Sequence, residues 1–235
     1  MPNDDLVARY HQVMTDIGNA CHLAHRPTDS VRLLAVSKTK QAHAIATLVE
    51  LGVREFGENY LQEALEKQHQ LRDLPITWHF IGHIQSNKTT EIAQQFDWVQ
   101  TVDRAKIVQR LNQARALVGH PLNVLIQVNV DQAATKSGVE PDAVDALVEQ
   151  ILESPHLQLR GLMSIPDPAG REALRAAHAQ LADLFRGLRG RYPEAPIDTL
   201  SMGMTDDLAD AIAAGSTCVR IGTALFGQRT PRGAA

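Results

Sequence analysis

Residues 33–40 read LLAVSKTK. Leu33 to Val36 form a short apolar run of the kind that fills a strand buried on both faces. Side chains alternate along a strand, so Lys38 falls on the face of Leu34 and Val36. A lysine there must reach water at the strand's end, pair with an anion, or do chemistry. The run is also the first of a series. Seven further apolar stretches follow it, REFGEN, ITWHFIGH, WVQTVD, NVLIQVNV, LRGLMSI, TLSMGM and CVRIG, of which REFGEN is the least strand-like. Helix-like pieces separate them, among them AHAIATLVELG, DRAKIVQRLNQARALVG and REALRAAHAQLADLFRGLRG. These close on glycine, the first and third among them, as helices often do.

Strand–helix alternation predicts a parallel sheet, and eight such units in an α/β chain predict a single (β/α)8 TIM-type barrel. A doubly wound open sheet is the alternative, but it usually opens with a GxGxxG turn that LLAVSKTK lacks. Ahead of the first strand the pattern predicts an extra N-terminal helix, from Asp4 to Ala24, broken at Pro27. No Ser/Pro/Gly-rich linker interrupts the series, so residues 1–235 read as one domain. With 44% hydrophobic residues the chain can bury a substantial core. A net charge of −4 and a pI near 6.2 argue against nucleic acid as the main partner. No apolar run approaches the roughly 18 residues of a membrane span. The N-terminal MPNDDLVARYHQ has no signal-peptide pattern. Cys21 and Cys218 are too far apart for a CxxC motif or a disulfide framework. The chain therefore reads as cytoplasmic and metal-free.

The active site of such a barrel lies at the C-terminal ends of its strands. Those ends carry Lys38, Glu58 and Asn59, His83, Asp103, Asn129, Ser164, Ser201, and Arg220 to Thr223. Lys38 can simply snorkel to the rim. Alternatively, partial burial lowers its pKa and frees the amine to attack an aldehyde or ketone. Lys40 lies further into the loop and is the less favoured reactive lysine. In CVRIGTALFG, Arg220 shares a face with Cys218 and Gly222, which leaves room beside it for a planar ligand. Backbone N–H groups at Gly222 and Thr223 can cradle a phosphate, and the last two strand loops are the usual phosphate site of this fold. Ser201 adds a hydroxyl from strand seven. The plainer reading makes Gly222 a packing glycine and Arg220 one half of a buried ion pair.

Other groups are less specific. Asn59 fits a hydrogen bond to an anionic ring oxygen, or a plain helix N-cap. His83 is a candidate pocket residue, and Trp78 and Phe80 read as core. DQAATKSGVE is a long polar loop with Lys136 as a candidate contact. Asp206 and Asp207 most simply begin a helix.

A barrel with a strand-one lysine, a last-strand arginine and a phosphate nest points to pyridoxal 5′-phosphate. LLAVSKTK, FGENYLQEALEK, WHFIGHIQSNK, GLMSIP and LSMGMTDDLADAIAAGSTCVRIGTALFG closely resemble the pyridoxal phosphate homeostasis protein family, over residues 30 to 227. The resemblance implies a barrel related to the N-terminal domain of alanine racemases and an internal aldimine on Lys38. It implies phosphate contacts from Ser201, Gly222 and Thr223, and Arg220 near the pyridine nitrogen. An arginine there disfavours protonation of the ring and makes it a poorer electron sink. The related racemases add a C-terminal domain that supplies a catalytic tyrosine, and the chain ends at Ala235 without room for one. Of Tyr10, Tyr60 and Tyr192, only Tyr60 lies near a strand's C-terminal end. The expectation is a monomeric, non-catalytic cofactor binder in intracellular vitamin B6 homeostasis, which buffers pyridoxal phosphate or delivers it to pyridoxal phosphate-dependent apoenzymes. A weak amino-acid racemase is the alternative. A cofactor-independent Schiff-base aldolase and a site for some other phosphate are further readings.

Overall fold

The computed structural model describes residues 2–131, 136–166 and 170–228. Eight parallel strands close into a barrel in sequence order, with the last pairing to the first. They are β1 (Arg32–Val36), β2 (Glu55–Glu58), β3 (Thr77–Phe80), β4 (Trp98–Val102), β5 (Leu122–Gln127), β6 (Leu157–Met163), β7 (Thr199–Ser201) and β8 (Cys218–Ile221). Each corresponds to one of the eight apolar stretches, including the weak REFGEN. The strands stop earlier than the sequence suggests, so Lys38 and His83 lie in the turns beyond β1 and β3.

The helices are α1 (Pro2–Leu23), α2 (Ala42–Glu50), α3 (Leu61–Gln70), α4 (Thr89–Gln95), α5 (Ala105–Arg115), α6 (Val144–Leu152), α7 (Arg171–Arg191), α8 (Leu208–Ala214) and the short α9 (Thr223–Phe226). The expected N-terminal helix is α1, which packs against α8, α9 and α2. Helix α7 does not close at its last glycine: it continues through Gly190 to Arg191. The expected DQAATKSGVE loop falls partly on residues 132–135, which lie outside the described residues.

The main apolar core lies between the sheet and the helices. Outward strand residues such as Ala35, Phe56, Phe80, Val99, Ile126, Leu162 and Val219 meet Ile45, Ile92, Leu111, Leu147 and Leu181 of the surrounding helices. Trp78 and Phe80 belong to this layer, as expected of core residues. The strands read as continuous apolar runs because both their faces are covered.

The barrel interior is different. Two small apolar clusters, Leu34–Val36–Ile81–Cys218 and Trp98–Leu125–Met163, leave space between them for polar side chains. At the N-terminal end Arg32 pairs with Glu55 and donates to Thr199 Oγ1. There Arg160 pairs with Asp198, and both arginines lie over the Trp98 ring. The floor of the barrel is thus closed by paired charges and Trp98.

Candidate functional site

Lys38 sits in the turn after β1, half-buried at the mouth of the barrel. Ser37 is fully buried, and its N–H donates to Gly57 O of the neighbouring strand. The next residue but one, Thr39, has φ +63°. Such a conformation is uncommon for a β-branched residue and has an order-of-magnitude cost of about 1–3 kcal/mol. Around this turn stands a buried charge cluster. Lys67 of α3 donates to Ser37 O, Glu58 Oε1 and Glu63 Oε1 at 2.7, 2.6 and 2.6 Å. Burial pushes the Glu58 carboxyl above its ordinary range, against the pull of its bonds from Lys67 and Ser37.

Arg220 comes from β8 and points into the barrel, with 4% exposure. Its guanidinium donates to Ser201 Oγ at 2.8 Å and to Ser164 O at 2.7 Å. Among the described residues no carboxylate lies within ion-pair distance of it, so the buried ion pair is not observed. Burial lowers its pKa, with Cys218 and Asp207 pulling the other way. Arginine stays protonated nonetheless, so a full positive charge is held below the mouth. Ser201, itself fully buried, passes the chain on. Its hydroxyl donates to Gln100 Oε1 at 2.7 Å, and Gln100 Nε2 lies 3.0 Å from His79 Nδ1. An amide N–H must donate there, which leaves the His79 proton on Nε2, facing Glu55 Oε2 at 3.6 Å. Burial, and secondarily Arg32, hold the His79 pKa well below its ordinary value, so the ring is neutral. A column of hydrogen bonds therefore runs down the barrel interior from Arg220 through Ser201 and Gln100 to His79.

The loops after β7 and β8 flank the Lys38 turn on the side away from β2, since β8 also pairs with β1. Gly203 has φ +95°, and a Cβ there would lie 2.5 Å from Ala211 Cβ, so this turn needs glycine. Asp207 fixes the loop by accepting from Met204 N–H at 2.6 Å and pairing with buried His178 at 2.9 Å. Burial by itself would raise the Asp207 pKa, but the bonds from His178 and Met204 outweigh it and hold the carboxylate low. Asp207 does precede α8, as the sequence suggests, yet its side chain serves the loop rather than capping the helix. Gly222 and Thr223 open α9, whose first N–H groups have no intrahelical acceptor. A Cβ at Gly222 would make only ordinary contact with Val36, so tight packing against the chain does not require a glycine here. Lys40 Nζ sits against the carbonyl oxygens of Phe226, Gly227 and Gln228 and ties α9 to the Lys38 turn.

Asn59 follows β2. It is not the cap of α3, a position that Tyr60 holds. Its Nδ2 lies 3.5 Å from Ile81 O, and its buried Oδ1 has no hydrogen-bond partner among the described residues. Gly82 explains how it gets there. A Cβ on Gly82 would lie 2.1 Å from the Asn59 carbonyl oxygen, so only glycine lets the two loops touch. Ser164 Oγ at the end of β6 is likewise buried and has no partner among the described residues. His83 is exposed, and the histidine of WHFIGH that enters the barrel is His79. Lys136 is half-buried beyond β5. Gln100 and His79 are not among the candidates named from sequence, and their inward alternation with Trp98 and Ile81 is the signal that marks them.

The structure thus brings Lys38, Asn59, Arg220, Gly222 and Thr223 to one end of the barrel and puts Ser201 directly beneath Arg220. A phosphorylated aromatic aldehyde fits this arrangement: an amine, a buried cation that meets no carboxylate among the described residues, buried polar atoms unpartnered among those residues, and a helix start. Residues 19–230 match the family described as alanine racemase, N-terminal domain. A pyridoxal phosphate homeostasis protein of Pseudomonas aeruginosa is 54% identical over 219 residues, 93% of each chain. That of Pasteurella multocida is 50% identical over 221 residues, 93% of this chain and 95% of the relative. PipY of Synechococcus elongatus, in a structure with PLP bound, superimposes with a TM-score of 0.78 at 36% identity, covering 90% of this chain and all of its own. Close identity over nearly whole lengths, on a barrel of one architecture, places the chain among the pyridoxal phosphate homeostasis proteins of the alanine racemase N-terminal domain family.

Proposed function

We propose that this chain binds pyridoxal 5′-phosphate at the barrel mouth and serves in its homeostasis as a binder rather than an efficient catalyst. The observation that carries the reading is Arg220, a buried guanidinium whose two bonds go to neutral oxygens. A charge held out of water without a carboxylate costs several kcal/mol unless something else solvates it. An electron-rich ring nitrogen or an anion above it would do so. Pyridoxal 5′-phosphate supplies an aldehyde that condenses with a primary amine and releases water. Lys38 offers that amine at the rim. The N–H groups of Gly222 and Thr223 take the phosphate, and the second N–H of the Asn59 amide takes the ring oxygen. Ser201 belongs to the site through Arg220, which it orients from below.

Arg220 also sets what the site does not do. A guanidinium opposite the ring nitrogen opposes its protonation and so weakens carbanion stabilisation. Relatives named for homeostasis at about half identity support holding and release of the cofactor over racemisation. We propose further that the chain works as a monomer in the cytoplasm and hands the cofactor to pyridoxal phosphate-dependent apoenzymes. No helix among the described residues is long and apolar enough to cross a membrane.

The test is an absorption spectrum of the purified protein with pyridoxal 5′-phosphate, before and after borohydride, followed by peptide mapping. A visible band that reduction abolishes, with a pyridoxyl mass on Lys38, is expected. Lys38→Ala should lose both. A protein left colourless and unlabelled, or one labelled equally after Lys38→Ala, overturns the assignment.

A further inference from the structure

We infer that Lys67, with Glu58 and Glu63, is a positioning device that holds the Lys38 turn in the geometry needed for covalent capture. The inference rests on the reading that Lys38 carries the cofactor. Lys67 is 5% exposed, and lysine is almost never buried so deeply unless it is paired. An ammonium has three donors, and here each has one acceptor: Ser37 O, Glu58 Oε1 and Glu63 Oε1. The same two carboxylates reach the turn a second time. Ser37 Oγ donates to Glu58 Oε1 at 2.6 Å, and the Thr39 N–H donates to Glu63 Oε1. The residues on either side of Lys38 are therefore both bonded to one buried cluster.

The placement is specific to that turn. Glu58 alternates with inward-facing Gly57 and so lies on the outer face of β2, towards α3. Glu63 and Lys67 lie one turn apart on α3. The cluster stands behind the sheet, and its route to the ligand is through residues 37–39. The turn also needs holding, since Thr39 keeps a left-handed φ of +63° that its side chain disfavours. A salt-bridge cluster that merely tied α3 to the barrel would have no cause to bond Ser37 O and Thr39 N–H. Lys67, Glu58 and Glu63 thus act as positioning residues for the Lys38 amine.

The experiment compares wild type with Lys67→Met and with the double variant Glu58→Gln/Lys67→Met. The single variant leaves Glu58 buried without its cation and can fail to fold. The double variant keeps the net charge and keeps the test open. Three quantities are read: the rate of borohydride-fixed pyridoxyl labelling at Lys38, the affinity for pyridoxine 5′-phosphate, and amide hydrogen exchange of residues 37–40 in the ligand-free protein. Pyridoxine 5′-phosphate shares the ring and phosphate but has an alcohol in place of the aldehyde. Labelling should fall by about ten- to a hundredfold, the effect of misplacing a reacting atom by about 1 Å. Pyridoxine 5′-phosphate affinity should stay within about twofold, the range of substitutions that touch no binding group. Exchange at residues 37–40 should quicken. Unchanged labelling, unchanged exchange, or equal weakening of both ligands overturns the inference. A wild type that takes no label on Lys38, with exchange still quickened in the variants, would refute the cofactor reading and leave the clamp standing.

Discussion

Replacing Arg220 with methionine should separate binding from stability. In the ligand-free protein two effects oppose each other. The substitution removes two charge-assisted bonds, to Ser201 Oγ and Ser164 O, at 2.8 and 2.7 Å, each worth about 1.5–3 kcal/mol. It also removes a buried charge with no carboxylate in reach among the described residues, whose desolvation costs several kcal/mol. The ligand-free stability should therefore change by no more than about 1 kcal/mol, as such exchanges often do. Binding has no such compensation. Loss of one charge-assisted contact to the ligand weakens affinity by roughly ten- to a hundredfold. At a cofactor concentration 100 times the wild-type Kd, wild type gains about 2.7 kcal/mol, whereas a variant weakened a hundredfold gains about 0.4 kcal/mol. For a chain of this size each kcal/mol moves Tm by about 2–4 °C, so a shift of about 5–10 °C should collapse to about 1 °C. Thermal unfolding followed by circular dichroism, with and without pyridoxal 5′-phosphate, measures both quantities. A variant that keeps the full ligand-induced shift, or one that loses about 3 kcal/mol or more without ligand, would refute this reasoning.

Three further outcomes follow from the same geometry. Because the His79 pKa is depressed, the unfolded chain takes up a proton below about 6.5 that the native ring refuses, so stability is complete above that value and is lost below it at about 1.4 kcal/mol per pH unit. In urea unfolding between pH 7.5 and 5.5, His79→Gln should flatten that slope, and a wild-type-minus-variant difference that stays constant would sink the assignment. Ser201→Ala strands Arg220 Nη1 and Gln100 Oε1 inside the barrel and should destabilise by about 1–3 kcal/mol, so an unmoved urea midpoint would contradict the hydrogen-bonded column. Gly82→Ala drives a methyl against the Asn59 carbonyl and should cost at least about 1–3 kcal/mol, and wild-type stability in that variant would mean that the two loops do not touch.

Much of the candidate site is legible in the sequence. Eight apolar stretches and the helical patterns between them determine a closed parallel barrel, because strands covered on both faces lose their alternation and each needs a crossover helix. That architecture sends every strand's C-terminal end to one mouth, so a lysine after strand one and an Arg-Ile-Gly-Thr run at strand eight must meet there. Only the tertiary structure decided what lies around and beneath them. Ser201 and Gln100 are 101 positions apart, and Lys67 reaches Ser37 across 30, so no local pattern records either bond. A hydroxyl at a strand end looks the same in sequence whether it faces a ligand or supports an arginine. Closure of the barrel turns Ser201 inward, where its hydroxyl donates to Gln100 and accepts from Arg220. The lysine of FGENYLQEALEK likewise reads as an exposed helix charge until folding packs α3 against the turn after β1. Buried polar groups must find partners, and which partners they find is set by packing between elements that the sequence lists far apart.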